Sequence, residues 1–186
     1  WIFFLVVMAG FALMRKKRAM CHTWLLLVSL YFYYRTGGLF IILLLLTAVL
    51  TWFTALMTGK AEKKVSKRFW LVMNLILLLG FLSYFKYAGF ITDTVNALLD
   101  TSFRTFDVFS AWSNNLFGTN FDINTIVLPV GISFFTFQAL SYSIDVYRGR
   151  MTPVTNIVDF SFYLTYFPQL VAGPIVRASE FIPQMK

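Results

Sequence analysis

Cysteine is almost missing from this chain. Cys21 stands alone, which excludes an intrachain disulfide and a cysteine-built metal site. Histidine is just as scarce: His22 has no Cys, Asp or Glu near it at ligand spacing, so no metal is expected and an interfacial placement is the simpler reading. Charged residues make up only 13% of the chain, against about 25% in soluble domains, which excludes an ordinary soluble fold. Acidic residues number 8 against 16 Lys and Arg. There is no Gly-rich phosphate loop, no serine-nucleophile elbow, no internal repeat and no complete catalytic constellation.

Apolar residues fill the space. They reach 59% of the 186 residues, with 22 Phe and a mean hydropathy of +0.72. The net charge of +8 does not point to nucleic acid. The basic residues cluster between apolar runs, the pattern of cytoplasmic loops in membrane proteins. The apolar run Trp1–Met14 precedes its basic cluster Arg15–Lys16–Lys17–Arg18, the reverse of a secretory signal.

A spanning helix needs about 20 apolar residues. Trp1–Met14 reads as part of one. His22–Tyr34 is short, and Gly37–Gly38 marks a turn after it. Leu39–Met57 and Phe69–Phe90 are clear spans, separated by the basic loop Lys60–Arg68. Thr92–Asn124 is rich in Asp, Ser, Thr and Asn. Its apolar residues Val95, Leu98, Leu99, Phe106, Phe109 and Trp112 predict an amphipathic interfacial helix. Ile126–Tyr147 and Ile157–Val176 are two further membrane segments. The expected fold is all-α and polytopic, with about five to six membrane helices, some short, broken or re-entrant. Basic loops follow the first, third and fifth segments, which places residues 15–20, 58–68 and 148–155 in the cytoplasm and 91–124 outside.

Two segments cannot be plain lipid-facing helix. In Leu128–Gly149, helical spacing puts Gly131, Phe135, Gln138, Tyr142 and Asp145 on one face, flanked by Ser141 and Arg148. Helix packing explains such a stripe, with Asp145 and Arg148 as an i,i+3 pair; so does the wall of a polar cavity. Pro129 and Gly131 are expected to bend or open its first turn. In Phe167–Arg177, Pro168, Gly173 and Pro174 break the helix, while Gln169 and Arg177 supply polar contacts. A cavity-lining broken element or a plain helix end accounts for this cluster.

At these two stretches the chain resembles the membrane-bound O-acyltransferase family. The nearest branch is the bacterial one of alginate O-acetylation and teichoic-acid D-alanylation proteins. The matching phrases are LPVGISFFTFQ at 128–138, SYSIDVYRG at 141–149 and FPQLVAGPIVR at 167–177, supported in order by SLYFYY at 29–34 and YFKYAGF at 84–90. The resemblance implies a helical fold around a tunnel, in the bacterial cytoplasmic (inner) membrane. It also implies transfer of an acyl group, acetyl above all, to hydroxyls of an extracytoplasmic polysaccharide. The donor would be an acyl-CoA or an acyl carrier protein thioester, with no bound cofactor. The implied partners are the bilayer, the donor, the glycan acceptor and further envelope proteins. Residues 1–186 would be the N-terminal part of a single transmembrane domain, and the family's histidine would act as general base from the other half. His22 does not match that motif. Gln138, Tyr142, Asp145, Arg148, Gln169 and Arg177 are the tunnel candidates.

Two other classes stay open. A transporter also uses broken helices around polar residues, and would carry an internal repeat or coupling-ion ligands. A non-catalytic membrane partner with a polar cavity is the other.

Overall fold

A computed structural model describes residues 1–14, 17–103, 106–117, 121–123, 126–173 and 176–185. Among them every regular element is helical. Helix α1 (Ile2–Met14) and α2 (Arg18–Gly37) form an antiparallel pair. Phe3 packs on Tyr31 and Phe32 at one end, and the Trp24 indole N–H donates to the Val7 carbonyl at 3.3 Å further down. The expected short segment His22–Tyr34 is thus the centre of a 20-residue helix. A short 3-10 turn (Gly38–Phe40) ends it where Gly38 takes φ 57°.

Helices α3 (Ile41–Lys60) and α4 (Lys64–Leu99) follow. Two runs, Arg18–Lys60 and Lys64–Leu99, are long and apolar enough to cross a membrane. Leu46, Val49 and Phe53 on α3, and Val72, Ile76 and Leu79 on α4, are exposed to the surroundings. Such a contiguous apolar exterior suits lipid rather than water. The opposite face of α3 buries Thr47, Thr51, Thr54 and Thr58 against the rest of the bundle. Thr54 and Thr58 return their hydroxyl protons to carbonyls four residues back, at 2.8 Å each. Local satisfaction lets Thr54 and Thr58 pack closely between helices, whereas the buried Thr51 hydroxyl has no hydrogen-bond partner among the described residues.

Helix α4 runs on past the expected end at Phe90. Its 36 residues give a length of roughly 54 Å, well beyond a bilayer core of about 30 Å. The amphipathic helix expected over 95–112 is therefore divided. Val95, Leu98 and Leu99 finish α4, whereas Phe109 and Trp112 belong to a separate α5 (Val108–Phe117). Asp107 explains the second start: its carboxylate accepts from the N–H groups of Phe109 and Ser110 at 3.0 and 3.2 Å, as an N-cap does. The Tyr84 hydroxyl accepts from the Val108 N–H at 2.9 Å and donates to the Phe106 carbonyl at 3.0 Å, tying α5 to α4.

Helix α6 (Ile132–Tyr147) and α7 (Ile157–Thr165) make an antiparallel hairpin. After α7 come α8 (Phe167–Ala172) and α9 (Ala178–Gln184). Ile157–Val176 is thus two short helices and a linker, not one span. The chain folds back there. The Tyr163 hydroxyl donates to the Val176 carbonyl at 3.2 Å, and Phe181 packs on Phe162, Tyr163 and Tyr166. Helices α3, α4, α6 and α7 enclose the main core, built from Leu44, Leu78, Phe135, Tyr142, Phe160 and Tyr163.

Candidate functional site

Helix α6 starts and stops on glycines in left-handed conformation. Gly131, at φ 71° and ψ 10°, closes a turn in which the Ile132 N–H donates to the Pro129 carbonyl at 3.2 Å. Those angles belong to the third position of a type II turn. The segment from 126 to Gly131 therefore enters the bundle without being helical. The Tyr33 hydroxyl holds this entry by donating to the Val130 carbonyl at 2.9 Å.

The far end of α6 carries the sequence Asp145-Val-Tyr-Arg-Gly-Arg150. Gly149 at φ 69° follows the cap residue Arg148. The Gly149 N–H donates to the Val146 carbonyl and the Arg150 N–H to the Asp145 carbonyl, both at 3.0 Å. This pair of bonds is the Schellman motif. It sets Arg150 directly over Asp145, and the guanidinium approaches the carboxylate at 3.6 Å. The expected partner Arg148 is exposed instead and makes no ion pair among the described residues. The difference comes from backbone geometry. A left-handed residue at 149 turns the chain back, so i,i+5 rather than i,i+3 becomes the short approach.

Between α4, α6 and the start of α9 lies an open cleft of about 340 Å³. Leu75, Phe137, Leu140 and Ile144 form its apolar wall. Ser141 and Asp145 add polar groups, and Arg148, Arg150 and Arg177 stand around it. Asp145 has only 7% of its side chain exposed, whereas Arg150 has 53%. Three guanidiniums against one carboxylate leave a net positive cleft, suited to an anion.

The remaining tunnel candidates are elsewhere. Gln138 and Tyr142 are fully buried in the α6–α7 interface. The Gln138 amide donates to the Tyr163 carbonyl at 3.0 Å, and the Tyr142 hydroxyl accepts from the Val154 N–H at 2.9 Å. Tyr142 also packs on Phe160 with ring centres 4.6 Å apart. Gln169 sits in α8, and its side-chain oxygen, like those of Gln138 and Asn74, is buried with no hydrogen-bond partner among the described residues. Pro168 occupies the first turn of α8, Gly173 caps its end, and Pro174 lies outside the described residues.

One pairing was not foreseen. His22 Nδ1 meets the Asp159 carboxylate at 2.8 Å, and the imidazole stacks on Phe162. These contacts join α2 to α7 across 137 residues of sequence. His22 is a clamp between helices. The groups of His, Cys, Asp and Glu needed to hold a metal are absent among the described residues.

Comparison with known proteins fixes the family. The probable alginate O-acetylase of Azotobacter vinelandii is 36% identical over 137 residues, covering 73% of this chain and 25% of the relative. That of Pseudomonas aeruginosa is 38% identical over 115 residues, 62% of this chain and 19% of the relative. The chain belongs to the membrane-bound O-acyltransferase family. The peptidoglycan O-acetyltransferase of Helicobacter pylori matches more of the chain at lower identity, 29% over 187 residues, covering 88% of this chain and 32% of that protein. The chain thus spans about a fifth to a third of the length of these curated O-acyltransferases. No family profile matches it, and no solved structure matches it significantly.

Proposed function

We propose that the enzyme to which this chain belongs transfers an acetyl group from a thioester donor to hydroxyls of an extracytoplasmic polysaccharide. The observation that carries this reading is the similarity to relatives named for acetyl transfer to two different glycans, alginate and peptidoglycan. The donor is an acyl-CoA or an acyl carrier protein thioester. The reaction joins the glycan oxygen to the acyl carbon and releases the thiol. A histidine outside residues 1–186 acts as general base. His22 is not given that role, because its surroundings in the sequence do not match the family's histidine motif.

The same reading makes this a multi-pass protein of the bacterial inner membrane. Charge places the Lys60–Arg68 loop and the 148–156 loop in the cytoplasm. The packing supports that orientation. His22 meets Asp159, and seven residues later Ser29 accepts from the Phe167 N–H at 3.3 Å, so α2 and α7 run in the same direction. Helix α7 has 9 residues, about 14 Å, too short to cross. With the fold-back at Val176, α7 to α9 form a re-entrant element that lines the cleft through Arg177. Irregular backbone at membrane depth belongs where protein or a watery cavity covers it.

Deleting the gene in its host and measuring alkali-labile acetate on the envelope polysaccharides tests the function. Acetate should fall and return on complementation. Unchanged acetate on every envelope glycan would overturn the reading.

A further inference from the structure

We propose that the cleft bounded by Arg148, Arg150 and Arg177 is a binding site for a phosphate ester carried on an extended, weakly polar arm. This deepens the acetyl-transfer reading and rests on it only for the identity of a soluble ligand. Three observations converge. First, three guanidiniums from two separate parts of the fold, the α6–α7 loop and the start of α9, line one cleft. Among the described residues only Arg150 has a carboxylate within 4 Å, and that is Asp145 at 3.6 Å. Arg148 and Arg177 are exposed, and they keep their planar donor forks for a ligand. The guanidinium fork matches phosphate oxygens two at a time and is weakly hydrated, so it binds phosphate better than a scattered surface charge would.

Second, the backbone holds the charges in place. The Schellman bonds fix Arg150 over Asp145 and leave Arg148 at the rim. The Val154 N–H, bonded to the buried Tyr142 hydroxyl, anchors the loop a few residues on. Third, the cleft is amphipathic. Besides the arginines its lining holds Leu75, Phe137, Leu140 and Ile144, with Ser141 as a lone hydroxyl. A bare inorganic anion has no use for that wall. A phosphate on a chain does, since apolar lining with a few convergent polar groups is how such ligands are held.

Two sources offer this chemistry at a cytoplasmic membrane face. One is the phosphopantetheine arm of a soluble thioester donor. The other is the headgroup of an anionic phospholipid with its acyl chain. The test uses the intact enzyme in phosphatidylcholine nanodiscs, with Arg148→Gln, Arg177→Gln and, as a basic control away from the cleft, Lys64→Gln. Coenzyme A is titrated at low and high salt, and phosphatidylglycerol retained from mixed nanodiscs is counted by native mass spectrometry.

Each cleft substitution should weaken one or both ligands about tenfold, with weaker binding at high salt, and Lys64→Gln should change neither. Loss of coenzyme A binding identifies the soluble source. Loss of phosphatidylglycerol alone identifies the lipid. Unchanged binding of both ligands in both cleft variants, or an equal loss in Lys64→Gln, would overturn the site. Acetyl transfer is assayed on the same samples. Transfer without cleft-dependent binding sinks the site and spares the function; cleft-dependent binding without transfer does the reverse. Arg177→Lys, which keeps the charge and loses the fork, should recover only part of the affinity.

Discussion

Arg150 meets Asp145 twice: its backbone N–H donates to the Asp145 carbonyl at 3.0 Å, and its guanidinium lies 3.6 Å from the Asp145 carboxylate. The carboxylate is buried and the guanidinium is half in solvent. Water screens such a pair, so its coupling energy is about 1 kcal/mol, well below that of a fully buried pair. A double-mutant cycle of Asp145→Asn and Arg150→Gln, read by thermal unfolding in detergent, should return a coupling of that order. A coupling of zero within error would mean that the contact adds nothing to stability.

Gly149 sits at φ 69°, and a methyl group there would meet nothing within 4 Å. The cost of Gly149→Ala is therefore backbone strain alone, roughly 1–2 kcal/mol. Gly149→Asn should cost less, because Asn tolerates the left-handed region better. Unfolding temperatures of the two variants check the order. Equal stability of Ala and Gly would show that the helix does not end in this way.

Tyr142→Phe removes the acceptor of the Val154 N–H, a bond of 2.9 Å from a fully buried ring. Ring packing on Phe160 survives, so the loss is the hydrogen bond and the stranded donor, about 1–2 kcal/mol. Folded yield in the membrane should fall, and the 148–156 loop should exchange its amide protons faster. Wild-type exchange across that loop would remove Tyr142 as its anchor.

His22→Asn keeps a donor for Asp159 and loses the imidazole. Acetyl transfer per folded molecule should stay within about twofold of wild type, because the ring is expected to clamp α2 to α7 rather than move protons. A fall of a hundredfold or more in correctly folded protein would make His22 part of the chemistry.

In a Cys21→Ser background, cysteines at 62 and 152 should label only after the cytoplasmic membrane is opened. A cysteine at 103 should label in intact cells. All three positions are exposed. Outside labelling at 62 or 152 would invert the orientation.

Much of the α6 region was legible in the sequence for local reasons. Spacing alone puts Phe135, Gln138, Tyr142 and Asp145 on one face, and all four are buried. What the sequence did not disclose is long-range or cooperative. Nothing links His22 to Asp159 in a single chain without the fold. The apolar run ends the expected span at Phe90, yet α4 continues through Thr92 and Asp93 to Leu99 because a helix already formed propagates readily. The choice of Arg150 over Arg148 depends on the sign of one backbone angle, which residue spacing does not encode.

The nine residues between α6 and α7 are held at several points. Gly149 and Arg150 bond back to α6, Val154 to Tyr142, and the Asn156 side chain accepts from the Val158 N–H at 2.9 Å. Conformational entropy is what a loop ordinarily gives up when a ligand arrives. Here the backbone surrenders most of that freedom as the protein folds. A molecule entering between Arg148 and Arg150 has only their side-chain stems left to order, so the attraction of the two guanidiniums goes into affinity instead of into stilling the loop.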